Sequence, residues 1–319
     1  MGDLLLLDRP TARDLDVVDD ISRREFIVGG LSLTAFLAAC GGDDNASSTS
    51  TAAPGGTRTV TGSRGPLEVP TAPARVAALV GSADIDVMLL GLTPVFSGTF
   101  AAGWVDLPAT IVTSDLVPPD PEAVAAATPD LLIGWDWLVD DPAWQQLNKI
   151  APAITLPDTG GWRDNFLLVA DAVNRTAQGD AALAEFDARV ASLKARFDAA
   201  EPLRVSMIGV FQPGTFWWWD AAYPTNAHLA SIGIEVVSPP ETQKDASIER
   251  VSELTADWLI VTAAPDDPTA SGLLDAAVWQ ALPAVQAGQV LVVDRNLWGG
   301  AGLMWANALL DDVERLFLA

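Results

Sequence analysis

One cysteine, one histidine, one tyrosine and twelve tryptophans set the chemistry open to this chain of 319 residues. A zinc or ferric centre built on imidazole, thiolate or phenolate needs several such groups, so direct coordination of a bare metal ion is not expected. No nucleophile elbow, phosphate loop, His-Glu-x-x-His or dinucleotide fingerprint occurs in its required context, which argues against an enzyme. Acidic pairs such as Asp140-Asp141, Asp266-Asp267 and Asp311-Asp312 read as solvated loops or helix starts rather than general acid–base couples. What is abundant is aromatic surface. Trp104, Trp135, Trp137, Trp162, Trp217 to Trp219 and Trp298 fall at expected strand ends or in loops, where indole rings line a pocket for a large, partly apolar ligand. Within Phe216–Trp219 the alternation of a strand puts Trp217 and Trp219 on one face and Trp218 on the other. Trp217 and Trp298 are expected to approach the ligand, with Trp135 or Trp137 closing from the first half of the chain. Arg163 or Arg295 would contact ligand oxygens, or else pair with neighbours such as Asp164 and Asp294. His228, inside Asn226-Ala-His-Leu-Ala, reads as a surface or satisfied helix histidine.

The lone cysteine has a different role. Ser22-Arg23-Arg24-Glu25-Phe26-Ile27 precedes an apolar run from Val28 to Leu37, and Leu37-Ala38-Ala39-Cys40 follows. Paired arginines ahead of a short apolar run match a twin-arginine export signal, and the run is too short for a finished membrane span. Leu-Ala-Ala-Cys resembles a lipobox, so residues 1–39 are expected to be cleaved and Cys40 to carry lipid. Two or three acyl chains hold a protein stably on a membrane where one is marginal. The expected location is extracytoplasmic, anchored to the cell membrane.

Residues 40–65, dominated by Gly, Asp, Ser, Thr, Ala and Pro, read as a flexible tether. Beyond it, alternating strands and helices repeat in two halves. Arg75–Val80, Ala83–Leu90 and Gly91 are matched by Arg204–Val210, Asn226–Ile232 and Gly233. Pro121-Glu122 to Asp130-Leu-Leu-Ile133 parallels Ile248-Glu249 to Asp257-Trp-Leu-Ile260. Continuous apolar strands in helix-to-strand units indicate parallel sheets covered on both faces. The expected class is α/β with two lobes, at 66–178 and 202–319. Leu183, Phe186, Val190, Leu193 and Phe197 mark one long amphipathic helix over 179–201 between them. The formal charge is −24, and without residues 1–39 the chain keeps 14 basic and 35 acidic residues. Such a polyanion has no basic patch for phosphates, which excludes nucleic acid as a partner.

The body resembles the ABC-transporter substrate-binding proteins for iron–siderophore complexes, with the vitamin B12 binding proteins as cousins. The resemblance runs through Pro73-Ala74-Arg75-Val76, Leu90-Gly-Leu-Thr-Pro-Val95, Pro121-Glu122 to Ile133, Lys149-Ile-Ala-Pro152 and Trp162-Arg-Asp-Asn165. It continues through Ser247-Ile-Glu249, Trp279 to Val285 and Gly288-Gln-Val290. It implies two Rossmann-like lobes joined by one long helix, the helical-backbone periplasmic binding protein fold, with ligand in the cleft. The implied ligand is an Fe(III)–siderophore already chelated, so no cofactor is implied, and cobalamin or heme is the alternative. Scarce positive charge favours a near-neutral hydroxamate or mixed-ligand siderophore over a triscatecholate trianion. By the same resemblance Glu122 and Glu249 sit on the rims of the two lobes and pair with arginines of the ABC permease. The protein is expected to act as a monomer.

Overall fold

The computed structural model describes residues 56–79, 82–98, 107–114, 116, 118–137, 141–158, 161–263 and 268–318. Arg23, Arg24, Cys40 and Trp104 lie outside the described residues.

The described chain begins with a hairpin. β1 (Thr57–Gly62) pairs antiparallel with β2 (Gly65–Pro70), burying Val60 and Val69. Residues 57–65 were expected in the tether, and this is a correction. Their Thr and Val residues are β-branched and fit a pleated surface once a partner strand covers them. At the hairpin base Arg58 pairs with Asp171 at 2.9 Å, and at its tip the Ser63 amide donates to the Thr155 carbonyl at 3.0 Å.

The first sheet follows with β3 (Val76–Ala78), helix α1 (Ala83–Leu89), β4 (Phe96–Ser97), β5 (Val112–Thr113), α2 (Pro121–Ala126), β6 (Leu131–Trp135), α3 (Asp141–Leu147) and β7 (Ala153–Leu156). Its strands are parallel in the order β5-β4-β3-β6-β7. The order reverses between β3 and β6. Leu131, Leu132 and Ile133 are buried, as expected for a strand covered on both faces.

Helix α4 (Trp162–Ala172) leads into α5 (Thr176–Asp198), the long helix expected between the lobes. Its 23 residues span about 34 Å. Leu183, Phe186, Leu193 and Phe197 are buried along one face, each contributing about 1.5–3 kcal/mol by leaving water.

The second sheet takes β8 (Arg204–Gly209), β9 (Thr215–Trp218), helix α6 (Pro224–Ser231), β10 (Glu235–Val236), β11 (Gln243–Ser247), β12 (Trp258–Ala263), helices α7 (Pro268–Leu274), α8 (Ala277–Gln280) and α9 (Pro283–Gln286), then β13 (Val290–Asp294). The order is β11-β9-β8-β12-β13, with β10 also on β8. β8, β12, β13 and β10 are parallel, while β9 and β11 run antiparallel to their neighbours. The helical segment that Glu249 opens is a 3₁₀ helix, Ile248–Glu253. The chain closes with α10 (Arg295–Trp298) and α11 (Leu303–Phe317).

An aspartate stands at the strand entry in each half, with different partners. Asp130 accepts the amides of Ala74 and Arg75 at 2.8 and 2.9 Å, fixing the entry of β3 beside β6. Asp257 lies 3.9 Å from Arg204 at the entry of β8 beside β12. A single hydrophobic cluster runs from Val76 and Leu131 through Phe166 and Leu183 to Ile260, Trp305 and Leu309, so the lobes share a core along α4, α5 and α11. Arg189 pairs with Asp311 and Arg196 with Glu314, which fasten α5 to α11.

Candidate functional site

In a parallel α/β sheet the open crevice lies beyond the carboxyl ends of the strands, at the point where strand order reverses. Here those points are between β3 and β6 in the first sheet and between β8 and β12 in the second. Trp162, beyond β7, stacks edge-on against Phe186 halfway along α5.

On the second lobe the carboxyl ends carry an aromatic wall. β9 alternates as expected: Trp218 packs into the core on one face and Trp217 and Trp219 share the other, where Trp219 is also buried and the two rings meet at 5.3 Å. Phe211, two residues beyond β8, lies 4.7 Å from Trp217 and 6.1 Å from Trp219, and is 40% exposed. Tyr223 stacks on Trp219 at 4.1 Å. Gly209 permits this crowding, because a Cβ there would stand 2.8 Å from the Phe211 ring and 3.2 Å from Trp219. A cation closes each end of the Phe211–Trp217 pair. The Arg295 guanidinium lies 4.5 Å over Phe211 and donates to the Val210 carbonyl at 3.1 Å. The Lys244 ammonium lies 4.9 Å from the Trp217 ring. Arg295–Phe211–Trp217–Lys244 thus forms a cation–π–π–cation row. It presents flat apolar area together with two positive ends to whatever enters the crevice.

On the first lobe Trp137, just beyond β6, is 57% exposed, and its amide donates to Asp158 at 3.2 Å. The hairpin reaches the same place: Arg64 pairs with Asp136 at 3.2 Å and lies over the Trp144 ring at 5.6 Å. Trp135 is half-buried and packs against the core on both faces of its sheet. Trp137, not Trp135, is the exposed ring at this strand end.

Two expected contacts lie elsewhere. Trp298 is 1% exposed; its indole N–H donates to Asp312 at 2.9 Å and its carbonyl accepts from Thr225. That ring belongs to the core, which corrects its expected place against the ligand: one turn of α10 carries the chain from Arg295 at the strand end down onto α11. Arg163 pairs with Asp187 at 2.5 Å, not with Asp164, and lies over Trp162 and Phe186 at 5.0 and 5.2 Å. It belongs to an aromatic cluster with His228, whose ring sits 5.7 Å from Trp162 and 5.8 Å from Phe186. Burial, then the Arg163 charge, push the imidazole down to about 4, so it is neutral at physiological pH. His228 is a packing histidine between α4, α5 and α6, not a ligand to metal.

Beneath the first crevice lie two buried carboxylates on α1. Burial pushes Asp84 up to about 6, against hydrogen bonds from the Ser97 hydroxyl and the Ile85 amide. Asp86 is raised well above the usual carboxylate range by burial and by the Asp84 charge, and its Oδ1 has no hydrogen-bond partner among the described residues.

Glu122 and Glu249 are both exposed at the first turn of their segments. Asp120 accepts the Glu122 amide at 3.0 Å, and Ser247 accepts the Glu249 amide at 3.4 Å. α2 runs back against β6, which places Glu122 toward the carboxyl ends of the first sheet. β11 runs toward the β9 residue Thr215, beyond the end of β8, which places Glu249 correspondingly on the second. Phe211, Lys244 and Arg64 had not been singled out in the sequence. Phe211 alone carried a readable signal, an aromatic residue just past a continuous apolar strand.

The fold has counterparts among known proteins. The chain is 29% identical over 318 residues to the probable siderophore-binding lipoprotein YfiY of Bacillus subtilis, covering 90% of this chain and 96% of that one. The structure of Staphylococcus aureus SirA complexed with staphyloferrin B superposes with a TM-score of 0.67 at 21% identity, over 81% of this chain and 98% of that one. A FhuD fold-family protein of Bacillus subtilis, described as part of a Fep/Fec-like ferrichrome ABC transporter, gives 0.69 at 17% identity, over 80% and 97%. The two α/β lobes and long helix are therefore a known fold, and the family model matching residues 76–297 assigns the chain: it belongs to the periplasmic binding protein family.

Proposed function

We propose that this chain is the lipid-anchored, extracytoplasmic solute-binding component of an ABC importer, capturing an Fe(III)–siderophore complex between its lobes and delivering it to the permease. The observation that carries the reading is the Arg295–Phe211–Trp217–Lys244 row at the carboxyl ends of the second sheet. A wrapped ferric complex has an apolar periphery and oxygen atoms bearing partial negative charge. Flat rings recognise the first and flanking cations the second. Trp137 supplies the opposing wall, and the similarity to a probable siderophore-binding lipoprotein supports both the cargo and the anchor at Cys40. Trp217 and Arg295 remain ligand contacts in this reading; Trp135, Trp298 and Arg163 support the scaffold. Glu122 and Glu249 lie on exposed rims outside the aromatic wall, where they suit permease arginines on either side of a two-subunit pore.

Titration of intrinsic tryptophan fluorescence tests this. Ferrichrome, ferric citrate and ferric staphyloferrin B are added in turn, with cobalamin, heme and free ferric ion alongside. Saturable quenching by a ferric complex is expected, and Phe211→Ala weakens it about tenfold to a hundredfold. Saturation by cobalamin or heme alone, or by free ferric ion in preference to the complexes, refutes the reading.

A further inference from the structure

Trp217 occupies an unusual position in its sheet. In the ladder between β9 and edge strand β11, Gln243 faces Trp218 and Ala246 faces Phe216. Two residues, Lys244 and Asp245, therefore stand opposite the single residue Trp217. This is a β-bulge, a device found at sheet edges and next to active sites because it re-aims side chains. Asp245 takes φ +54°, a left-handed conformation that Asp tolerates better than most residues. Its Oδ1 accepts the Trp217 indole N–H at 3.0 Å and the Gln212 amide at 2.5 Å. Lys244 meanwhile places its ammonium 4.9 Å from the same ring. One ring is thus pinned through its N–H by an anion and flanked by a cation, both supplied by the bulge and both solvent-exposed.

We infer that the Lys244–Asp245 bulge sets the charge selectivity of the ligand wall, with Asp245 as the positioning residue for Trp217 and Lys244 as the specificity-determining cation. The inference rests on the siderophore reading above. Arg295 and Lys244 alone would make the row dicationic and suited to an anionic ferric complex. Asp245 next to Lys244 offsets one of those charges, so the unaltered wall favours a near-neutral complex of the hydroxamate kind. Removing either member of the bulge shifts selectivity, and the two shifts have opposite sign.

The experiment uses the full chain in detergent micelles, with ferrichrome as the neutral probe and ferric staphyloferrin B as the anionic one. Asp245→Asn keeps an oxygen acceptor and the left-handed backbone but removes the charge. Lys244→Gln removes the cation. The ratio of anionic to neutral affinity is expected to rise about tenfold in Asp245→Asn and to fall about tenfold in Lys244→Gln, the effect of one charge a few ångströms from the ligand at a partly solvated surface. A loss of folding would move both affinities together and leave that ratio unchanged. Asp245→Gly, which the backbone accommodates without strain, tests positioning without any ligand. The Trp217 indole N–H resonance, assigned with Trp217→Phe, is expected to move upfield as its acceptor is lost and to stay in place in Asp245→Asn. An unmoved resonance in Asp245→Gly overturns the positioning role. With both affinities of the variants measurable and their unfolding midpoints unchanged, ratios that stay constant or shift in the same direction overturn the selectivity role while leaving the siderophore reading intact. Absence of binding by every ferric complex in the unaltered protein overturns both.

Discussion

Replacing Asp84 by Asn is expected to make the protein more stable at neutral pH. The carboxyl is buried at the start of α1, and its proton affinity rises from an ordinary 3.8 to about 6. A folded-state value above the unfolded one means that the folded protein holds the proton more tightly. Its contribution is therefore fully present below about 3.8 and is lost as pH rises through about 6. At pH 7 the native state carries a buried charge whose cost is roughly two pH units, or about 3 kcal/mol. Asn has nearly the same shape: its one oxygen keeps the Ile85 amide, which now donates to Oδ1 of Asp84, and its amide nitrogen replaces Oδ2 and donates to the Ser97 hydroxyl, whose own proton turns to the Gly98 carbonyl. Urea unfolding of both proteins from pH 4 to pH 8 reads the difference directly. Asp84→Asn should lead by up to about 3 kcal/mol at pH 7, and the lead should shrink below about 1 kcal/mol near pH 4 as the native carboxyl becomes protonated. A variant less stable than the parent at pH 7 would show that the two hydrogen bonds outweigh desolvation, and a lead independent of pH would remove Asp84 from the titration altogether.

His228 works in the opposite sense. Its folded value of about 4 lies below the ordinary 6.5, so stability from the neutral ring is complete above pH 6.5 and falls by up to about 3 kcal/mol as pH drops toward 4. His228→Phe keeps an aromatic ring against Trp162 and Phe186 and should flatten that acid limb in the same urea series. Trp298→Phe should cost about 1–3 kcal/mol of stability through the lost indole bond to Asp312, while calorimetry with ferrichrome or ferric staphyloferrin B shows unchanged affinity. Glu122→Arg and Glu249→Arg should leave solution affinity unchanged and reduce transport in a reconstituted permease assay, whereas a large affinity loss with normal transport would place these residues in the ligand site.

The fold was legible because its signals are local and repeated. Continuous apolar strands such as Leu131–Ile133 and Leu259–Val261 need cover on both faces, and the buried positions Leu183, Phe186, Leu193 and Phe197 keep helical spacing through α5. The hairpin was missed for a physical reason. Thr57–Gly65 has no apolar run of its own and becomes a strand pair only through partners, Leu67 and Val69 in β2 and Thr155 in β7. Composition describes what a segment can bury alone, and this segment buries nothing alone.

The candidate site was less legible because its members come from four separate segments. Phe211, Trp217, Lys244 and Arg295 span more than 80 positions and meet only where β8, β9, β11 and β13 bring them to one end of the sheet. Trp217 could be read from strand alternation, and Arg295 from its place after an apolar strand. Lys244 could not, since its approach to the ring depends on one extra residue in β11 that shifts the register. The same logic explains Trp298. It is three residues from Arg295 in sequence, yet the α10 turn between them separates the crevice from the core. An abundance of tryptophan therefore points to an aromatic site without saying which rings form it; that is decided by strand ends, one bulge and one helical turn.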